Sequence, residues 1–273
     1  MESIVRDNAK TIHSFQDLIN EIERIMKAWG TRWPGIQLRC YFRGVNKASY
    51  SLDPSLLREP FISSDMETVE DNIRFDFETR GRPFLPLEMK WPWEELFIMQ
   101  HHGFPTRLLD WTENISTALY FACRDRKEKS DGAIWVLFPS FLIYQNFGKY
   151  KSHVHPEMPG IEDYGLIKGR RNLSTFNQRA PLPIMPYYVS PRLVAQIGRF
   201  TVHTFQVGAL EKLANEDWKK NGEGCFLHQI LVDFKCKNKL RSQARIFGGA
   251  SEETLYPDLD GLSRGMMWEY QNK

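Results

Sequence analysis

The sequence predicts an α+β fold, in which short strands around residues 38–43, 106–109, 133–138, 195–203 and 226–234 share or face one cleft among helices. Three observations carry this expectation. The segment QLRCYFRG alternates Leu38, Cys40 and Phe42 against Arg39, Tyr41 and Arg43, the period of a half-buried strand. Phe15, Leu18, Ile19, Ile22, Ile25, Met26 and Trp29 form the apolar stripe of a helix over 14–29 that starts at Ser14, has Asp17 as capping-box partner and ends at Gly30. Between these types lies QHHGFPTRLLDWTENISTALYFA, residues 100–122, around which the chain is organised.

In that stretch Gly103 predicts a helix stop, and Pro105 pushes Phe104 into extended backbone. A strand through Arg107, Leu108 and Leu109 would deliver Asp110, Trp111 and Thr112 to its end. Ile115, Ala118, Leu119 and Ala122 then fall at helical spacing. A strand end feeding a helix N-terminus gathers free N–H groups and positive dipole, which favours an anionic ligand.

The remaining elements follow in order. Residues 64–80 read as a helix with Ser64 and Glu67 as capping box. Residues 91–102 read as another, beginning at Pro92 and carrying His101 and His102. AIWVLFP reads as a buried strand, and 140–191, with six prolines and a Gly-Arg-Arg cluster at 169–171, as an irregular lid or substrate loop. After it come the strand 195–203, on which Gln196, Gly198, Phe200 and Val202 share a face, a helix around Leu210, Leu213 and Trp218, the strand FLHQILVDF, and two closing helices. Gly198 is read as leaving room for a close approach to the backbone.

Composition narrows the function. A chain of 273 residues with net charge +2 lacks the basic excess of a constitutive nucleic-acid binder, and no apolar run is long enough to cross a bilayer. MESIVRDNAK reads as neither signal peptide nor targeting helix, and four scattered cysteines show neither zinc-site spacing nor a disulfide framework, so a reduced, cytoplasmic protein is expected. His153 and His155 lack a carboxylate or cysteine at useful spacing, and no metal is expected. Phosphate-loop, dinucleotide, serine-hydrolase and zinc-protease motifs are absent. Arg43, at the polar end of its strand, reads either as a solvated charge or as a bidentate clamp for phosphate or carboxylate.

Phe42-Arg43-Gly44, Leu52-Asp53-Pro54-Ser55-Leu56, QHHGFPTRLLDWT with ALYFA, SPRLVAQIGRFT and Leu255-Tyr256-Pro257-Asp258-Leu259-Asp260-Gly261 together resemble the FRG domain family, as one domain over 1–273. More distantly, the order of parts is similar to ADP-ribosyltransferases of the Arg/Ser-Thr-Ser/Glu kind. Arg43, then Asp110-Trp111-Thr112, then Gln196 stand in that order, although Asp110 replaces a small hydroxyl residue and Gly198 falls where a glutamate is usual. The likeness implies a small, split, mostly antiparallel sheet around a cleft and NAD as substrate. Arg43, Asp110 and Gln196 would be catalytic, and Arg43, Gly44, His101, Arg107, Trp111 and Thr112 would hold NAD. The activity implied is ADP-ribosyl transfer or NAD hydrolysis, as in a toxin or phage-defence effector, with protein, nucleic acid or water as acceptor. The alternatives are a non-catalytic module binding a nucleotide or nucleic-acid end, and a core in which Arg43 and Asp110 form a buried ion pair.

Overall fold

The computed structural model describes residues 3–85, 93–125, 128–159, 161 and 179–271. Its centre is one seven-stranded sheet: β1 (Lys10–Ile12), β2 (Tyr41–Val45), β3 (Leu108–Thr112), β4 (Gly132–Leu137), β5 (Leu182–Ile184), β6 (Gly198–Val202) and β7 (Leu227–Val232), in the order β1-β7-β4-β2-β3-β6-β5. Only β1 with β7 is parallel; the other five pairings are antiparallel. The sheet is thus mostly antiparallel, as expected, but larger than the small one anticipated. It is hydrogen-bonded throughout, yet β2 and β3 meet in a single residue pair, Phe42 with Thr112.

Helices α1 (Ile4–Asp7), α2 (Phe15–Arg32), α3 (Met66–Gly81), α4 (Trp93–His101), α5 (Ile115–Ala122), α6 (Pro139–Phe147), α7 (Pro191–Ala195), α8 (Ala209–Asn221), α9 (Lys237–Gly248), α10 (Glu252–Leu255) and α11 (Leu259–Tyr270) surround it. Ser14 caps α2 through the expected box with Asp17, but the helix runs through Gly30 to Arg32. One glycine costs about 1 kcal/mol in a helix. Tertiary packing of Trp29 and Trp33, both buried, outweighs it. At α3 the cap is Asp65, whose carboxylate accepts from the Thr68 N–H, not Ser64. Residues 91–92 of the helix predicted over 91–102 lie outside the described residues; the helix ends as expected, with Gly103 at φ 79°.

Three strand expectations shift. The first strand is 41–45 rather than 38–43, and Gly44 lies inside it. Asp110, Trp111 and Thr112 belong to β3 rather than following it, and β6 begins only at Gly198. The segment 140–191 is irregular only in part, since most of α6 lies within it and β5 forms a sheet edge, while the Gly-Arg-Arg cluster lies outside the described residues. The core is aromatic, as the composition suggests. Trp29 donates its indole N–H to the Cys225 carbonyl at 2.6 Å, Trp33 packs on Phe138 at 4.6 Å, and Phe141 stacks on Phe226 at 4.4 Å. Every residue of β4 is buried. No described helix is long and apolar enough to cross a membrane.

Candidate functional site

Where β2 and β3 part, a cleft of about 370 Å³ opens between them, walled by Phe42, Phe104 and Phe121 and lined by Arg43, Ser55, Gln100, Asp110, Thr117 and Arg192 among others. Its shape follows from local packing. Gly44 brings β2 so close to α5 that an added Cβ would stand 1.7 Å from the Ala118 carbonyl oxygen. Only a residue without a side chain fits there. Arg43, next in the strand, therefore points to the opposite side of the sheet from that contact.

Arg43 reaches across the gap. Its Nη1 donates to the Asp110 backbone carbonyl at 2.8 Å and lies 3.7 Å from the Asp110 carboxylate. The side chain of Arg43 is 18% exposed and that of Asp110 59%, so the pair is not a buried ion pair. Arg43 Nε is buried without a partner. Burial draws the Arg43 pKa down, Asp110 opposing this and Arg58 adding to it. The guanidinium nevertheless stays charged. Asp110 is oriented from its other side: Gln100 Nε2 donates to its carboxylate at 2.9 Å, and Thr106 Oγ1 donates to Gln100 Oε1. Thr117 Oγ1, also lining the cleft, is buried without a partner. Arg43, Thr117 and the solvent-facing Asp110 carboxylate all belong to the lining of this cleft.

Of the other residues expected at the site, Trp111, Thr112 and Gln196 also line this cleft, with polar groups bonded into the fold, whereas Arg107 and His101 do not line it. The Arg107 side chain is fully buried; Nε donates to Glu70 at 2.7 Å and Nη1 to the His203 carbonyl at 2.8 Å, an arrangement that joins α3 to β3. Trp111 is buried, its indole N–H bonded to Thr201 Oγ1 at 3.0 Å. Thr112 Oγ1 donates to the Gln196 carbonyl at 2.6 Å and accepts from the Asn114 N–H at 3.0 Å, so its hydroxyl is committed to the backbone. Gln196 is not a strand residue but the C-cap of α7, and its side-chain amide donates to the Leu255 carbonyl at 3.0 Å. The room at Gly198 is taken by Leu193, whose Cδ1 would be 2.2 Å from an added Cβ. The N-terminal amides of α5 at Ser116 and Thr117 bond to the Asn114 side chain, which removes the open anion site expected there.

His101 lies in an adjoining apolar cleft of about 670 Å³ with Phe77, Phe84, His102 and Phe104, the last of which also lines the first cleft. Its Nδ1 is 3.3 Å from Ser190 Oγ, and partial burial, with His102 and Arg192 nearby, lowers its pKa. The sequence reading missed Ser55, Gln100, Thr117 and Arg192 as cleft residues. Arg192 had a visible signal in Ser190-Pro191, the cap and first residue of α7. Its guanidinium lies over the Tyr256 ring, 4.6 Å from the centroid.

The fold and site define a mixed α/β protein with an arginine-lined cleft at the middle of a mostly antiparallel sheet. Residues 38–131 match the family model of the FRG domain. The match takes in β2, α3, α4, β3 and α5, hence Arg43, Gln100, Asp110 and Thr117, and ends before Arg192 and Gln196. No curated protein and no solved structure matches the chain.

Proposed function

We propose that the cleft binds NAD through its diphosphate and breaks the bond between nicotinamide and ribose, handing the ADP-ribosyl group to water or to a protein or nucleic-acid acceptor. The observation that carries this reading is the pairing of a half-enclosed Arg43, with Nε unpartnered, and an exposed Asp110 carboxylate held by Gln100. Arg43 grips the diphosphate through the parallel N–H groups of its guanidinium, and Arg192 supplies a second positive charge. When the C–N bond breaks, its electron pair leaves with neutral nicotinamide and positive charge develops on the ribose carbon. Asp110 stabilises that charge until the acceptor oxygen or nitrogen bonds to the carbon and loses its proton to solvent. The neighbouring aromatic cleft, continuous through Phe104, suits a flat ring at one end of the dinucleotide.

In this reading Gln196 and Thr112 hold the floor of the cleft rather than the ribose, since both polar groups already have backbone partners. The test is to incubate the full chain with NAD and measure both binding and nicotinamide release. Release that disappears in Asp110→Asn supports the enzyme. Tight NAD binding without release points to a binding module, and failure to bind NAD overturns the proposal.

A further inference from the structure

We propose that His13, Asp233 and Cys236 form a binding site for one Zn²⁺-like divalent ion at the β1–β7 edge of the sheet, separated from β2 and its Arg43 by β4 in strand order. The placement begins with topology. β1 and β7 run parallel with Ile12 opposite Val232, so His13 and Asp233 leave the two strands side by side, and the Asp233 N–H donates to the Ile12 carbonyl at 3.3 Å. Asp233 then caps the short 3₁₀ turn Phe234–Cys236. With about three residues per turn, positions three apart in such a turn lie above one another, which brings Cys236 to the same side as Asp233.

The resulting geometry is that of a ligand set. His13 Nδ1 is 3.2 Å from Asp233 Oδ2 and 3.9 Å from Cys236 Sγ, and the three ligand atoms all lie within 4.8 Å of one another. Zinc bonds of about 2.0–2.3 Å place donors on a tetrahedron roughly 3.3–3.7 Å apart, so small side-chain shifts suffice. Two of the ligands are braced. The Lys235 N–H donates to Asp233 Oδ1 at 2.8 Å, leaving Oδ2 to face His13. Asp17 accepts from the His13 and Ser14 N–H groups, fixing the backbone that carries the imidazole. The nearby Lys237 ammonium is turned away, donating to the Asn46 carbonyl at 2.7 Å.

Nitrogen, carboxylate oxygen and thiolate together favour a borderline-soft ion such as zinc over magnesium or calcium. Three protein ligands and an imidazole side chain 58% exposed leave the fourth position to solvent. Cys236 binds as thiolate, so each ion taken up releases its thiol proton, and the imidazole proton resides on Nε2. Sequence spacing could not show the set, because His13 and Cys236 are 223 positions apart.

The experiment strips the full chain with a chelator, then titrates Zn²⁺ by calorimetry and Co²⁺ by absorption. One ion per chain is expected, with a thiolate-to-cobalt charge-transfer band and a Zn²⁺-dependent rise in melting temperature. His13→Ala and Cys236→Ser should each weaken binding at least tenfold and remove that rise, while Cys40→Ser changes neither. His13 is exposed, so its replacement leaves the fold intact, and the cobalt band of the unaltered protein reports the thiolate without any substitution. Absence of stoichiometric binding, no thiolate band, or binding that survives either substitution overturns the proposal.

Discussion

Arg43 and Asp110 sit 3.7 Å apart with very different exposure, and that asymmetry separates the roles open to them. Arg43→Lys keeps the charge but loses the planar fork. NAD affinity should fall by about 1.5–3 kcal/mol, the range for hydrogen bonds to charged groups, with little change in melting temperature. Unchanged affinity in an NAD titration would show that the guanidinium serves only the Asp110 carbonyl. Asp110→Asn should leave NAD affinity within a few-fold and reduce nicotinamide release by roughly two orders of magnitude, as for loss of one transition-state stabiliser. Because the carboxylate is exposed, melting should barely move; a large drop would assign Asp110 to the fold. At this scale the sequence was partly legible. The strand alternation and the Asp-Trp-Thr stretch led to Arg43 and Asp110. Gln196 and Trp111 line the cleft but are also tied into the fold, and Arg107 lies outside it. A polar side chain facing a cleft and one bonded to a distant partner look alike in sequence. Only tertiary contacts with Leu255, Glu70 and Thr201 distinguish them.

Among the elements, α5 against β2 decides whether the cleft exists. Gly44→Ala places a methyl group 1.7 Å from the Ala118 oxygen and 2.8 Å from the Ala122 nitrogen, both in helix backbone that cannot rotate away. The helix must shift, at a cost of about 1–3 kcal/mol typical of overpacking. Both the melting temperature and NAD binding should fall together in Gly44→Ala; full stability would mean that α5 yields freely. Helix stripes and caps were legible because they are local: Ser14 with Asp17, and Asp258 before the last helix, whose carboxylate accepts from the Gly261 N–H. Edge strands β1 and β5, three residues each, were not. Their hydrophobic pattern is too short to show a period, and their pairing partners lie far along the chain.

For the molecule as a whole, buried neutral histidines set the acid limit. Burial pushes His203 down to about 3, with Arg107 and Arg43 adding to it, and His228 down to about 4, with Arg24 contributing. In the unfolded chain both would protonate near pH 6.5. Below that pH the unfolded state binds more protons, so the stability held above 6.5 is lost progressively as pH falls toward 4. Melting curves at pH 7.5, 6 and 5 should show a steady decline across that window, and a flat profile would mean that the two rings protonate in place. The predominantly antiparallel order of the whole sheet was foreseen, whereas its extent was not, because strands from both ends of the chain meet only after folding.

The lone Phe42–Thr112 pairing also makes the sheet two halves stitched at one point. On one side stand β1, β7, β4 and β2; on the other β3, β6 and β5. Each half keeps its own ladder, so thermal opening can part them along this seam without melting either. In deuterium exchange, backbone amides of β2 and β3 that face the gap should trade hydrogen far sooner than those of β4, and a ligand spanning Arg43 and Asp110 would act as the missing stitches, slowing that exchange on both banks at once.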